Sequence, residues 1–336
     1  MRRYYLLIVI WCLFLLLLTG CAANLPEKPV GEYIWPPPPH VPKIKWLTQW
    51  SNQYDFGKPN IIATVLAGED IAKLSRPNGV VVDSSGNIYA ADSDLGVIFV
   101  FDQEQHTLRV IGGGLLGFPV GVAIDNSTGI LYVTDSKLDV IIGIDKKDGK
   151  PLLVVGKLGE FKNPSGIVVD EARDRFYVTD TQNHIVRVFT RAGNPLFNIG
   201  EKGTEEGKFI FPSFLALDKE GRLYVSDTFN FRVQIFSPDG KFIKTFGKLG
   251  DVSGTFSRPK GIGVDSDGHI YVVDAAFNNF QIFDREGNLL LWVGGGGSEP
   301  GQFNLPAGLF IDRHDRIYIS DTFNRRIQVF QYLKQK

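Results

Sequence analysis

Two series of aspartates recur along the chain and are its most prominent groups with a potential for chemistry. The first series is Asp92, Asp135, Asp180, Asp227, Asp274 and Asp321, and the second is Asp83, Asp125, Asp170, Asp218, Asp265 and Asp312. A ring of carboxylates could hold a divalent cation through its oxygen atoms. However, each aspartate of the first series precedes Ser, Thr or Ala in a short loop, where Asp usually accepts backbone N–H bonds. We therefore predict a structural role for both series and no metal site.

The other groups that often do chemistry form no catalytic pattern. The histidines are His40, His106, His184, His269 and His314, and no two of them have the close spacing of metal ligands. The Gly-rich segments 112–114 and 294–297 are followed neither by a helical pattern nor by Lys-Ser or Lys-Thr, so they predict turns rather than phosphate loops. The two cysteines, Cys12 and Cys21, lie near the N-terminus, which excludes a disulfide in the remainder. We predict no cofactor.

The elements that must position these residues form an internal repeat. A proline recurs at residues 77, 119, 164, 212, 259 and 306, at intervals of 42 to 48 residues, and a tyrosine precedes each first-series aspartate by three residues. In the fifth copy, residues 261–265, 269–273, 280–283 and 289–293 have the pattern of four short strands joined by hairpin turns. Four short strands per repeat are typical of a β-propeller blade, so the sequence predicts an all-β, six-bladed propeller.

The sixth copy ends after its third strand and must borrow a fourth. Residues 61–66 have the fourth-strand pattern ahead of Pro77, and we predict that they complete the last blade, so that no sheet edge is left open. Residues 44–50 are interpreted as one further strand or a packed arm.

The repeat resembles the NHL repeat. Blade four carries the pattern most fully over residues 223–236, with Asp227, Asn230 and Arg232, and blade six repeats it with Asp321, Asn324 and Arg326. The resemblance implies a six-bladed propeller but leaves the function open, because such propellers serve as binding modules, receptor domains and enzymes. The enzyme alternative is a metal-dependent hydrolase or lyase, similar to gluconolactonases or peptide-amidating lyases. For the former, Asn78 has no obvious Glu partner; for the latter, the zinc-binding histidines are not recognisable.

The face formed by the loops between strands four and one and between strands two and three is the predicted binding face. Its candidate binding residues are Asn78, Ser165, Asn183, Ser213, Phe229, Phe231, Lys260, Phe277 and Phe323. The phenylalanines either pack between blades or form an exposed patch that marks a partner site. The favoured function is a non-catalytic binding or scaffold module for an envelope protein or a small ligand.

The N-terminus predicts a membrane anchor. Arg2 and Arg3 precede an apolar run over residues 4–18, which is too short to span a membrane and ends in a Leu-Thr-Gly-Cys sequence that resembles the bacterial lipobox. We predict a signal peptide over 1–20, lipidated Cys21, a Pro-rich spacer to residue 43 and the propeller over 44–336. The resemblance implies a cell-envelope location, on the outer membrane facing the periplasm in a Gram-negative cell. With 36 basic and 37 acidic residues, the chain lacks the basic charge of a nucleic-acid-binding protein.

Overall fold

The computed structural model describes residues 32–55, 72–157 and 159–334, which form six antiparallel sheets. In chain order the strands before blade one are β1 Ile34–Trp35 and β2 Ile44–Trp50. Blade one contains β3 Pro77–Val82, β4 Ile88–Asp92, β5 Val97–Asp102 and β6 Thr107–Ile111; blade two contains β7 Pro119–Asp125, β8 Ile130–Asp135, β9 Val140–Asp145 and β10 Pro151–Val155. Blade three contains β11 Pro164–Asp170, β12 Arg175–Asp180, β13 Ile185–Thr190 and β14 Pro195–Ile199; blade four contains β15 Pro212–Leu217, β16 Leu223–Asp227, β17 Arg232–Phe236 and β18 Phe242–Phe246. Blade five contains β19 Pro259–Val264, β20 Ile270–Asp274, β21 Asn279–Phe283 and β22 Leu289–Gly294; β23 Leu309–Ile311, β24 Arg316–Asp321 and β25 Arg326–Tyr332 belong to blade six.

Helical structure among these residues is limited to short 3-10 turns. They are Gln53–Asp55, Glu171–Arg173, Thr181–Asn183, Thr228–Asn230 and Thr322–Asn324. Three of them form the loops between the second and third strands of blades three, four and six. Within the described ranges, no helix has the length and apolar character needed to cross a membrane.

The all-β, six-bladed propeller is confirmed. Each complete blade is a meander in which strands pair in chain order, and the first strands of successive blades contact one another around the ring, including β23 with β3. The predicted strands of blade five agree with the observed ones to within two residues at each end. The hairpin after β19 turns at Gly268, whose φ of 87° is accessible mainly to glycine.

The predicted closure by an N-terminal strand is also confirmed, and the strand is β2. It pairs antiparallel with β25, from Ile44 opposite Tyr332 to Trp50 opposite Ile327, and β1 adds a fifth strand outside it. Residues 61–66, which we expected in this position, lie outside the described residues. The edge of β25 is occupied by β2. Ile44 is fully buried, and the Trp46 indole donates a hydrogen bond to Gln328. The two ends of the described chain therefore close the ring together.

Apolar packing joins the blades to one another. Six clusters of buried apolar side chains lie in the described structure, one at each junction between neighbouring blades. The cluster between blades six and one contains Tyr318, Ile327 and Val329 together with Val80 and Phe99. This packing explains why inner strands such as β3 and β4 are apolar on both faces, since each sheet lies between two others.

A hydroxyl group after the first-series aspartate links four pairs of blades. The donor side chains are Ser93, Thr181, Thr228 and Thr322, and they reach the carbonyl oxygens of Pro119, Pro212, Pro259 and Pro77, respectively, at 2.7 to 2.8 Å. The last of these bonds joins blade six to blade one. These bonds thus fix the loops of neighbouring blades relative to one another at four of the six junctions.

Candidate functional site

The first aspartate series is structural, as the sequence predicts. Asp227 accepts hydrogen bonds from the Ile210 N–H at 2.8 Å and from the Arg232 guanidinium at 3.0 Å. Burial raises the pKa of the Asp227 carboxyl, against the hydrogen bonds that stabilise its charged form. In the ranges that the structure describes, no group of three or more His, Cys, Asp or Glu side chains is arranged to hold a metal ion.

The second series shapes the opposite face. Its carboxylates accept backbone N–H bonds in the hairpins between first and second strands, as Asp265 does from Asp267 and His269 at 2.9 Å. The repeat tyrosine adds a further bond in several blades: the Tyr271 hydroxyl donates to Asp265 at 3.0 Å, and the Tyr224 hydroxyl donates to Asp218 at 3.0 Å. The carboxylates of both series are therefore engaged in hydrogen bonds that shape their loops.

A central cavity of about 490 Å³ opens on the predicted binding face, and we call it the mouth. Three sets of equivalent residues form most of its wall. The residues before the repeat proline are Arg76, Phe118, Asn163, Phe211, Arg258 and Leu305; those after it are Asn78, Val120, Ser165, Ser213, Lys260 and Ala307; and those after the first-series aspartate are Ser136, Thr181, Thr228, Ala275 and Thr322. Phe214, Phe229 and Phe323 complete the lining. All six blades thus contribute to one site.

Six of the nine predicted binding residues line the mouth. They are Asn78, Ser165, Ser213, Phe229, Lys260 and Phe323. The structure brings them together because the repeat places each at the inner end of its blade.

The other three predicted residues lie outside the mouth, each for a local reason. The Asn183 side-chain amide donates to Asp180 at 2.8 Å and so serves its own loop. Phe231 follows the 3-10 turn with a φ of 55° and packs against the core between blades four and five. Phe277 stands one position later in its loop than Phe229 does, and Ala276 occupies the equivalent place.

Most polar side chains of the mouth are engaged in bonds between or within blades. The Ser165 hydroxyl lies 3.0 Å from the carbonyl oxygen of Ser213, and the hydroxyl oxygens of Thr228 and Ser213 lie 2.7 Å apart. Asn78 donates to the hydroxyl of Ser93. Lys260 differs from them, since none of the described residues provides its ammonium group with a hydrogen-bond or ion-pair partner.

The mouth is electrostatically positive near Lys260. Burial lowers the pKa of the Lys260 ammonium to about 8, and the charges of Arg258 and Arg76 act in the same direction. The described lining contains three cationic side chains and no carboxylate. This position thus holds an ammonium group that lacks a compensating charge.

Aromatic side chains stand beside these cations. Phe229 and Phe323 are each 51% exposed. The Phe229 ring packs edge-on against Phe211 at 5.1 Å, and Phe211 packs in the same way against His184 at 4.9 Å. The Arg76 guanidinium lies over the Phe323 ring at 5.4 Å from its centre. The mouth therefore combines exposed apolar rings with positive charge.

Sequence reasoning missed Arg76, Arg258 and Phe211, which directly precede the repeat proline. When the six copies are aligned, this position has no shared residue type. The fold therefore does not fix it, and it can vary with function. Sequence reasoning also missed Phe214, which replaces the glycine that follows the proline by two residues in the other five copies. Such a glycine is required by crowding: a Cβ at Gly121 would lie 2.0 Å from the Ser165 carbonyl oxygen.

Phe214 lies between the mouth and a second central cavity. That cavity, of about 410 Å³, opens on the opposite face and is lined mainly by apolar residues of the first strands. Phe214 contributes to both linings and is only 9% exposed. Phe214 therefore borders both cavities on the side of blade four.

Sequence comparison supports the repeat type. The NHL repeat model matches residues 161–189, 209–236 and 256–283, which lie in blades three to five. Protein brain tumor of Drosophila melanogaster is 34% identical over 59 residues, a match that covers 18% of this chain and 6% of that protein. The chain therefore contains NHL repeats, and the matched region is a small part of the fly protein.

Several solved structures share the propeller fold. A Bacteroides thetaiotaomicron protein of unknown function is 17% identical, with a TM-score of 0.65 over 86% of this chain and 75% of that one. A gluconolactonase from Xanthomonas campestris is 19% identical, with a TM-score of 0.61 over 77% and 87% of the two chains. Virginiamycin B lyase from Staphylococcus aureus is 15% identical, with a TM-score of 0.56 over 77% and 96%. At these identities the likeness is one of fold alone.

Proposed function

We propose that this protein is a non-catalytic binding module of the cell envelope, anchored in a bilayer through acylated Cys21 and presenting the mouth to a partner protein or small ligand. The observation that carries the proposal is the composition of the mouth. Two half-exposed phenylalanines and an ammonium group without a described partner converge there, while the neighbouring hydroxyls and Asn78 serve the fold. Exposed aromatic and cationic groups around a cavity are typical of binding sites.

The hydrolase or lyase alternative has weaker support. Gluconolactonase and virginiamycin B lyase share the fold, but a fold hosts many functions, and function depends on the residues of the site. The described lining of the mouth contains no Asp, Glu or His that could ligate a metal or act as a general base. We therefore favour binding over metal-dependent catalysis.

Capture from native membranes tests the binding function. A variant with Phe229→Ser and Phe323→Ser should retain its melting temperature and lose at least tenfold in the recovery of ligand, because truncation of an interface anchor often costs more than about 2 kcal/mol. The matched control carries Leu249→Ser and Val252→Ser, two side chains 62% and 63% exposed in a loop of the same face but outside the mouth. The control should recover the ligand as the unmodified protein does. Equal recovery by both variants would contradict the proposal.

A further inference from the structure

The positive charge of the mouth is concentrated in one sector of the ring. Blade five supplies Arg258 and Lys260, and blade one supplies Arg76. Blade six lies between them and contributes Phe323, while Phe229 of blade four stands on the other side of blade five. Two aromatic rings therefore flank the Lys260 position.

Small residues leave this sector open. Blade five carries Ala275 and Ala276 where blade four carries Thr228 and Phe229, so these two positions have neither the linking hydroxyl nor the ring. Blade six likewise places Ala307 at the position equivalent to Lys260. The lining in this sector thus includes small side chains, and no described lining residue is a carboxylate.

We propose that this sector binds a small ligand whose carboxylate or phosphate group is attached to an aromatic or apolar body. The inference rests on the proposed binding function and names the ligand class. Lys260 and Arg258 provide charge for the anionic group, and guanidinium groups suit the planar, paired oxygens of such anions. The rings of Phe229 and Phe323 provide contact surface for the body.

The volume and the positive charge of the mouth both suit this ligand class. Its volume of about 490 Å³ lies within the range usual for small-molecule sites, about 300 to 1,000 Å³. The whole chain has a net charge of −1, so a local group of three cations without an acid is distinct from the surrounding protein. Such a concave positive site raises the local concentration of anions.

Binding should be coupled to the protonation of Lys260. The charged groups that face it are Arg258, on the same blade, and Arg76, across blade six, and both disfavour the ammonium form. His184, on blade three, packs against the Phe211 ring, and burial lowers the pKa of the His184 imidazole. An anion beside Lys260 would raise the lowered lysine pKa again, so binding should take up protons and weaken as the pH rises above about 8.

Titration calorimetry with defined probes tests the inference. Benzoate and phenyl phosphate carry the proposed groups, and benzamide is the neutral counterpart of benzoate. We expect at least one anion to bind ten or more times more tightly than benzamide, with proton uptake at pH 8 revealed by buffers of different ionisation enthalpy. The tighter of the two anions identifies the preferred group.

Three variants separate charge from structure. Lys260→Met should weaken anion binding at least tenfold, and Lys260→Arg should retain binding while abolishing proton uptake. Lys248→Met removes an exposed lysine from the same face outside the mouth and should bind as the unmodified protein does.

Two results would overturn the anion site. Equal binding of benzamide and the anions would do so, as would unchanged anion binding in a folded Lys260→Met variant. If ligand capture nevertheless depends on Phe229 and Phe323, the binding function would survive with a neutral ligand. If capture also fails to depend on them, the proposed function fails as well.

Discussion

At the residue scale, the exact position of a phenylalanine in the loop between the second and third strands decides whether it lines the mouth. Phe229 and Phe323 follow the first-series aspartate by two residues and line the mouth. Phe277 follows its aspartate by three residues and lies outside it. The sequence could predict an aromatic cluster on this face, but the turn geometry that decides which rings reach the centre depends on backbone conformation.

The charge of the mouth was harder to predict than its rings. Lys260 was recognised because it follows the repeat proline, whereas Arg76 and Arg258 precede that proline, a position to which the repeat pattern assigned no role. Only the closed ring brings blade one beside blade six, with blade five on the other side of blade six, and so places Arg76 and Lys260 in the same cavity. This proximity is a consequence of topology, and no local sequence pattern contains it.

Lys260 should reduce the stability of the ligand-free protein. Its pKa of about 8 in the fold lies below the ordinary value of 10.5, so between these pH values the unfolded chain binds more protons and stability rises with pH. At pH 7 Lys260 is protonated in both states, so the folded protein carries the free-energy cost of a buried ammonium group. Lys260→Met should therefore stabilise the protein at pH 7 by roughly 1–3 kcal/mol, and its advantage should disappear as the pH approaches 10.5. Denaturant unfolding at several pH values measures this difference; a less stable variant at pH 7 would show instead that Lys260 supports the fold.

At the element scale, the repeat defines the blades and their strands almost completely. The strands are short, mostly apolar and bounded by turn residues, so local chemistry largely determines where each begins and ends. The closing strand is the exception, because β2 and a segment such as 61–66 are both short and apolar. Pairing with β25 decides between such candidates, and that pairing joins residues almost three hundred positions apart in sequence.

Removal of the closing strand should destabilise the ring. Deletion of residues 22–50 removes β1 and β2, exposes the edge of β25 and uncovers the core around Ile44. We expect the melting temperature to fall by about 10 °C or more and the transition to broaden. Deletion of residues 22–31 leaves both strands in place and should melt as the full-length protein does. Similar melting of the two truncated proteins, measured by calorimetry, would refute the closing role of β2.

The Thr322 hydroxyl, which joins blade six to blade one, should contribute measurably to the free energy of unfolding. Thr322→Val keeps the side-chain volume but leaves the Pro77 carbonyl oxygen without its donor at 2.8 Å. Because both groups are buried, the expected loss is about 1–3 kcal/mol in the free energy of unfolding. Ser136→Ala is the matched control, since that hydroxyl lies 3.4 Å from a carbonyl of its own blade and should contribute less than about 0.5 kcal/mol. Equal losses in urea unfolding would argue against the link between blades.

At the scale of the whole molecule, the anchor and the mouth have separate roles. Cys21 lies outside the described residues, and its lipidation remains a prediction from the sequence. Several acyl chains on one cysteine would hold the protein durably at a bilayer, whereas a single chain binds only marginally. Cys21→Ser should therefore move the protein from the membrane fraction to the soluble envelope fraction without changing its melting temperature. Unchanged membrane partition of this variant would refute the anchor.

The central claim, that the mouth is the binding site, is tested most directly by photo-cross-linking in cells that produce the protein. A photoreactive p-benzoylphenylalanine would replace Phe229 or Phe323 in separate samples, and Trp292, 51% exposed on the outer strand β22, in the control. Intact-mass spectrometry then detects a covalent adduct of either a small ligand or a protein. We predict light-dependent adducts at positions 229 and 323 and none at 292. Adducts at 292 without adducts at 229 or 323 would contradict the account, because they would place the binding surface on the outer rim of the propeller.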